Sequence, residues 1–244
     1  MAALKRPGGE LASRPLHFFW MVDCSGSMYG EKIGTVNHAI QSTIPEMVDA
    51  AKDNPNAQLL VRTLKFSTGA SWVTPNPVNI EDFAWDDLDA GGVTDLGKAF
   101  EMLAAQLTIP PMTDRALPPV IVLLSDCQPT DDYKKSLDKL LQLPWGKKAV
   151  RIAISIGQDA DDDILQQFTG NRELVLQANN PQALVKMIKW ASTAASLVSA
   201  PASKVRDDTE LLAGNNTPSA TNAPLVLDMN NIPDPAAIGA NDVW

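Results

Sequence analysis

Leu16-His17-Phe18-Phe19-Trp20-Met21-Val22-Asp23-Cys24-Ser25-Gly26-Ser27-Met28-Tyr29-Gly30 is the stretch whose reading decides the fold. The apolar run Phe18 to Val22 is too short to span a bilayer and too unbroken for a strand with one wet face. It predicts the central strand of a parallel sheet covered on both sides. The run ends at an acid. Asp23, Ser25 and Ser27 then follow at alternate positions in a Gly-containing turn, which points three hard oxygen donors at one spot past the strand's carboxyl end. That edge is where open α/β sheets bind ligands.

Working outward, a second continuous apolar run from Pro118 to Ser125 also ends at an acid, Asp126. If the two runs are neighbouring strands their ends lie about 5 Å apart, so Asp23 and Asp126 can flank the same point. Thr94 follows the flexible Gly91-Gly92-Val93 and precedes a helix expected over 95–107, stopped by Pro110 and Pro111. It can complete the constellation.

Between these pieces, Ile33, Val36, Ile40, Ile44 and Ala51 recur at the spacing of one helix face, with Pro45 expected to kink or divide the helix. Residues 58–66 read as a strand and 71–74 as an edge strand ended by Pro75 and Pro77. Helices over 131–141 and 161–168 alternate with strands over 149–157 and 173–176. Asn180 and Pro181 give the cap and first turn of a last helix running to about Val198. This alternation predicts an α/β, doubly wound, mainly parallel sheet with helices on both faces, spanning 14–198. An extension (1–13) precedes it and an acidic tail of low regularity (199–244) follows.

Composition narrows the partners. The formal net charge of -9 argues against nucleic acid and for cations or basic surfaces. No apolar run is long enough for a membrane span. Met1 to Arg14 has no apolar h-region, so it does not read as a signal peptide and a cytoplasmic location is expected. Two cysteines are too few for a disulfide framework or a four-thiolate zinc site.

Two carboxylates and three hydroxyls suit a hard cation. Mg²⁺ is the first expectation, with Mn²⁺ or Ca²⁺ as alternatives; Mg²⁺ takes octahedral oxygen ligands at about 2.1 Å and usually keeps water. With at most two formal negative charges around a divalent ion, positive character is left for an incoming carboxylate or phosphate.

The three pieces, Asp-x-Ser-x-Ser at 23–27, Thr94 in Gly-Gly-Val-Thr-Asp-Leu-Gly, and Asp126 in Leu-Leu-Ser-Asp-Cys-Gln-Pro-Thr-Asp-Asp, together resemble the metal-ion-dependent adhesion site of von Willebrand factor type A domains. The resemblance implies that Ser25, Ser27 and Thr94 bind metal through their hydroxyls. Asp23 and Asp126 would bind directly or through water, and a partner's Glu or Asp would take the open position. The segment around Asp126 and the run into Asp-Cys-Ser-Gly-Ser-Met further resemble the TerY-like branch linked to tellurium resistance and stress response. That likeness implies an adaptor beside a serine/threonine kinase and a metal-dependent protein phosphatase. Some members add a cysteine-rich zinc module, for which this chain lacks the cysteines. Cys24 and Cys127 stand where the family commonly has Thr and Gly.

Both cysteines follow a site aspartate, so a redox pair is one reading and two space-filling thiols is the plainer one. His17 and His38 have no partner at ligand or triad spacing. Asp131-Asp132 and Asp161 to Asp163 read as helix starts, with support of the metal loop and a second cation site as the respective minor readings. Trp72 and Trp85 read equally as core or as the rim of a binding face. In the tail, the apolar islands Leu225-Val226-Leu227 and Val243-Trp244 suggest a partner-binding segment, and its carboxylates could reach the metal site in cis or in trans.

Two function classes remain. The favoured one is a non-enzymatic, metal-dependent protein-interaction module. The alternative is a metal-assisted phosphoester hydrolase using Asp23 or bound water. Ser25 weighs against it, because phosphatases with a strand-end aspartate nucleophile place another acid two residues on, and no histidine or lysine stands as acid or base.

Overall fold

A computed structural model describes residues 13–54, 57–158, 160–199 and 233. Strand β1 (Arg14–Asp23) is the hub. It pairs in parallel with β2 (Ala57–Ser67) on one side and with β5 (Val120–Ser125) on the other. Beyond β5 lie β6 (Val150–Ile156) and β7 (Val175–Ala178), also parallel. Two short antiparallel strands, β3 (Gly69–Trp72) and β4 (Val78–Asn79), both pair with β2. The order β3-β2-β1-β5-β6-β7 reverses direction between β1 and β5. This is the switch point at whose carboxyl edge doubly wound sheets leave a crevice.

Phe18, Phe19, Trp20, Met21 and Val22 are each at most 1% exposed, so the central strand is covered on both faces. Phe18, Trp20 and Val22 pack with Val122, Leu124, Ile152 and Ile154 under α1 (Glu31–Lys52) and α6 (Pro181–Ser199). Phe19 and Met21 face the other way, with Leu64, Phe66, Ile121 and Leu123. That layer is closed by α2 (Leu96–Gln106), α3 (Tyr133–Gln142) and α5 (Asp162–Thr169). Burying each such side chain is worth about 2–3 kcal/mol, which makes this strand the main anchor of the sheet.

Three details refine the expectations from sequence. Pro45 does not divide α1, which continues through it; the proline lies on the exposed face, where the carbonyl it leaves unpaired at Gln41 can meet water. Strand β4 and the short helix α4 (Pro144–Lys148) carry too few residues to show a period. Trp85 belongs to the core: its indole Nε1 donates to Asn37 Oδ1 at 3.2 Å, and Asn37 also holds both backbone groups of Leu88. Trp72 is half-buried and stacks on the Arg62 guanidinium, 3.7 Å from the ring centroid. Among the described residues no helix is long and apolar enough to cross a membrane.

Candidate metal centre

The crevice between β1 and β5 is built around Asp23, which is fully buried at the end of β1. Its Oδ1 accepts from the Ser25 backbone N–H at 2.8 Å, closing the tight turn that aims Ser25 and Ser27. Its Oδ2 accepts from Ser125 Oγ at 2.5 Å. Burial raises the Asp23 carboxyl to about 6, against the pull of the Ser125 and Ser25 hydrogen bonds; the nearby Asp126 charge adds to the rise. The Ser25 and Ser27 hydroxyl oxygens lie 3.1 Å apart, close enough to share one ligand.

The Thr94 loop is fastened to this turn by backbone. Gly26 N–H donates to Gly92 O at 3.0 Å and Gly91 N–H to Cys24 O at 2.8 Å. Gly92 has φ +88, a left-handed conformation that a side chain at this position would resist. Thr94 is buried; its N–H donates to Thr130 Oγ1 at 3.2 Å and its carbonyl accepts from Thr130 N–H at 2.8 Å. Asp131 then caps α2 across the chain, accepting from Gly97 N–H at 3.0 Å and Lys98 N–H at 3.1 Å. The sequence reading gave Asp131 mainly to the start of its own helix. Its bonds instead hold the helix that follows Thr94.

Asp126 completes the edge. Its residue is 3% exposed, and its Oδ1 has no hydrogen-bond partner among the described residues. A buried carboxylate oxygen without a donor is costly, and a hard cation is one way to satisfy it. Among the described residues no three His, Cys, Asp or Glu side chains gather as a metal cluster. The acids here are two, and the other donors are hydroxyls. Such a set fits a hard cation, whose charge the two carboxylates formally balance while the hydroxyls add none.

Sequence reasoning missed two residues at this edge. Ser125 looked like the last residue of an apolar strand, and only the β1–β5 pairing, with Val22 opposite Leu124, brings it beside Asp23. Lys32 Nζ stands 3.3 Å from Asp126 Oδ2 across 94 residues, although no lysine was expected at the site.

Cys24 and Cys127 require a correction. Cys24 packs into the layer under α1 and α6, and Cys127 into the layer under α2 and α3, so the sheet separates them and both are free. Successive residues past two adjacent strand ends need not point the same way. Cys127 also has φ +48, which explains why glycine suits that position. Burial, followed by the Asp23 charge, pushes the Cys24 thiol up to about 12 and Cys127 well above the ordinary thiol range. Both should be inert. In native protein a thiol reagent should label neither cysteine until unfolding, and oxidant should give no intramolecular crosslink; a crosslinked species by mass spectrometry would contradict the separation.

At the start of α5 the Asp161 and Asp162 carboxylates are spent locally. Asp161 caps the helix through Asp163 and Ile164 N–H, and Asp162 accepts from Ser155 Oγ and Gln177 Nε2. Asp159, the extension 1–12 and Leu225, Val226, Leu227, Val243 and Trp244 lie outside the described residues. Of the tail beyond α6, Pro233 is described; with Asp162, Arg172, Gln177 and Met187 it lines a cavity of about 280 Å³ on the β7 flank.

No protein-family model and no curated protein matches the chain. Solved structures do. A von Willebrand factor type A protein from Catenulispora acidiphila superposes with TM-score 0.54 at 14% identity, over 76% of this chain and 43% of that one. The ArnB paralog VWA2 from Sulfolobus acidocaldarius gives 0.53 at 21% identity, over 72% and 44%. Proximal thread matrix protein 1 from the mussel byssus, with a zinc-occupied MIDAS motif, gives 0.50 at 17%, over 75% and 48%. In each case the alignment spans less than half of the neighbour's chain. At these identities the likeness speaks for architecture, and the described chain has the α/β fold of von Willebrand factor type A domains.

Proposed function

We propose that the chain is a metal-dependent protein-interaction module. Asp23, Ser25, Ser27, Thr94 and Asp126 would hold Mg²⁺, and a partner's acidic residue would take the open position. The observation that carries this reading is the convergence of two buried carboxylates, one with an unpartnered oxygen, and a pair of hydroxyls at the switch point of the sheet. When bound, the cation would supply a Lewis-acidic site for a carboxylate. The chain's own residues preorganise that site: Ser125 and the Ser25 N–H orient Asp23, and Thr130 and Asp131 hold the Thr94 loop.

The rim supports a protein ligand. Among the described residues the exposed large apolar side chains are Tyr29, Val93 and Ile109. Tyr29 follows Ser27 by two positions and Val93 precedes Thr94, so two of the three flank the site. An acidic side chain set in an apolar surround would match this face. The TerY-like resemblance extends the proposal to an adaptor in a tellurium-resistance or stress-linked kinase and phosphatase system in the cytoplasm. Catalysis is not part of it: the buried Asp23 is held by two donors and has no second acid two residues on.

The test is a calorimetric Mg²⁺ or Mn²⁺ titration of wild type and of a Ser25→Ala, Ser27→Ala double variant, followed by capture of partners with and without chelator. Loss of two oxygen donors should weaken metal at least about tenfold, by analogy with the measured sensitivity of metal sites to their supporting groups. Partner capture should vanish with chelation and in the variant. Equal metal affinity in both proteins would refute the assignment, and phosphoester hydrolysis lost in Asp23→Ala would favour the hydrolase.

A further inference from the structure

Lys32 occupies a place that local helix physics does not reward. It is the second residue of α1, where the helix dipole disfavours a cation. Its ammonium is instead committed to Asp126 Oδ2 at 3.3 Å, with the lysine side chain 20% and the aspartate side chain 4% exposed. Gly157 makes room for it. A Cβ there would come within 3.1 Å of Lys32 Nζ and 3.3 Å of its Cε, and φ +90 independently favours glycine. Asp126 is thus divided: one oxygen faces a tethered cation, and the other is buried without a partner.

We propose that Lys32 is a second cation of the site, which weakens metal binding by competing for Asp126 and strengthens binding of a partner's carboxylate once the metal is loaded. The inference rests on the metal-dependent reading above and follows from charge. Two carboxylates and a divalent ion sum to zero, whereas adding the ammonium leaves a net positive site. The same positive charge repels the metal and attracts the acidic ligand. The two affinities therefore move in opposite directions when it is removed, which a purely structural lysine would not produce.

The experiment uses the full chain, with Mn²⁺ as the metal probe and acetate as the carboxylate probe. Free Mn²⁺ is followed by electron paramagnetic resonance, and acetate by the fall in water-proton relaxation as it replaces water on the loaded protein. Lys32→Met, which keeps the aliphatic stem, should bind Mn²⁺ about tenfold more tightly and acetate several-fold more weakly than wild type. Lys32→Arg should resemble wild type in both. If wild type loads Mn²⁺ and Lys32→Met matches it in both affinities, or loses both together, Lys32 has no such role while the metal reading stands. Wild type that takes up no Mn²⁺ overturns the metal reading and this inference with it.

Discussion

Metal-free protein should lose up to about 3 kcal/mol of stability from Asp23 alone as the pH rises from about 4 to about 7, opposite in sign to a salt-bridged acid. The cause is burial. The carboxyl titrates near 6 in the fold against an ordinary value of about 3.9 unfolded, so between these values the folded state binds the extra proton. Stability conferred by that proton is present below the unfolded pKa and is lost as pH climbs through the folded one. Denaturant melts of wild type and Asp23→Asn, in chelator, would isolate the effect, since the amide stays neutral throughout. Their stability difference should shift in favour of Asn across the window, and parallel curves would refute the assignment. Mg²⁺ should reverse the trend, because its binding requires the ionised carboxylate and so strengthens as pH rises through about 6.

The legible and illegible parts of this chain divide along a physical line. Phe18 to Val22 and Pro118 to Ser125 were readable because a strand buried on both faces must be continuously apolar, whatever packs against it. Asp23 and Asp126 were readable because each ends such a run. What stayed hidden depends on register and on side-chain direction across long separations. Ser125 meets Asp23 across 102 residues and Lys32 meets Asp126 across 94, and neither spacing leaves a mark in a local window. The redox pair fails for a related reason, while the plainer reading of two buried, space-filling thiols holds: Val22 pairs with Leu124, so Cys24 is level with Asp126 and Cys127 lies one residue further on, on the opposite face of the sheet. Asp131 shows the same limit in milder form. Its charge marked a helix start correctly, but the helix it caps is α2 rather than the one it precedes.

Ser125→Ala should therefore be among the most damaging single-atom changes at the edge, costing on the order of 3 kcal/mol at neutral pH. Ser125 Oγ donates to Asp23 Oδ2 at 2.5 Å and accepts from Cys127 N–H at 2.7 Å, and all three residues are at most 2% exposed. Removing the hydroxyl strands a carboxylate oxygen and a backbone donor together, each in a place water does not reach. Because the lost bond favours the charged form of Asp23, its carboxyl should titrate above 6 in the variant. Two consequences follow that a loss of packing alone would not produce. Destabilisation should be smaller at about pH 5, where Asp23 is mostly protonated, than at about pH 7.5. The pH at which Mn²⁺ binding is half lost should also move upward, in step with the Asp23 carboxyl. Urea melts and Mn²⁺ titrations at both pH values test this, with Ser136→Ala as the control, since its one long bond, 3.4 Å, runs to Glu101, an exposed residue of α2. A Ser125→Ala variant as mildly affected as the control, with an unshifted metal-binding profile, would mean that Asp23 is held by its own turn and not by the neighbouring strand.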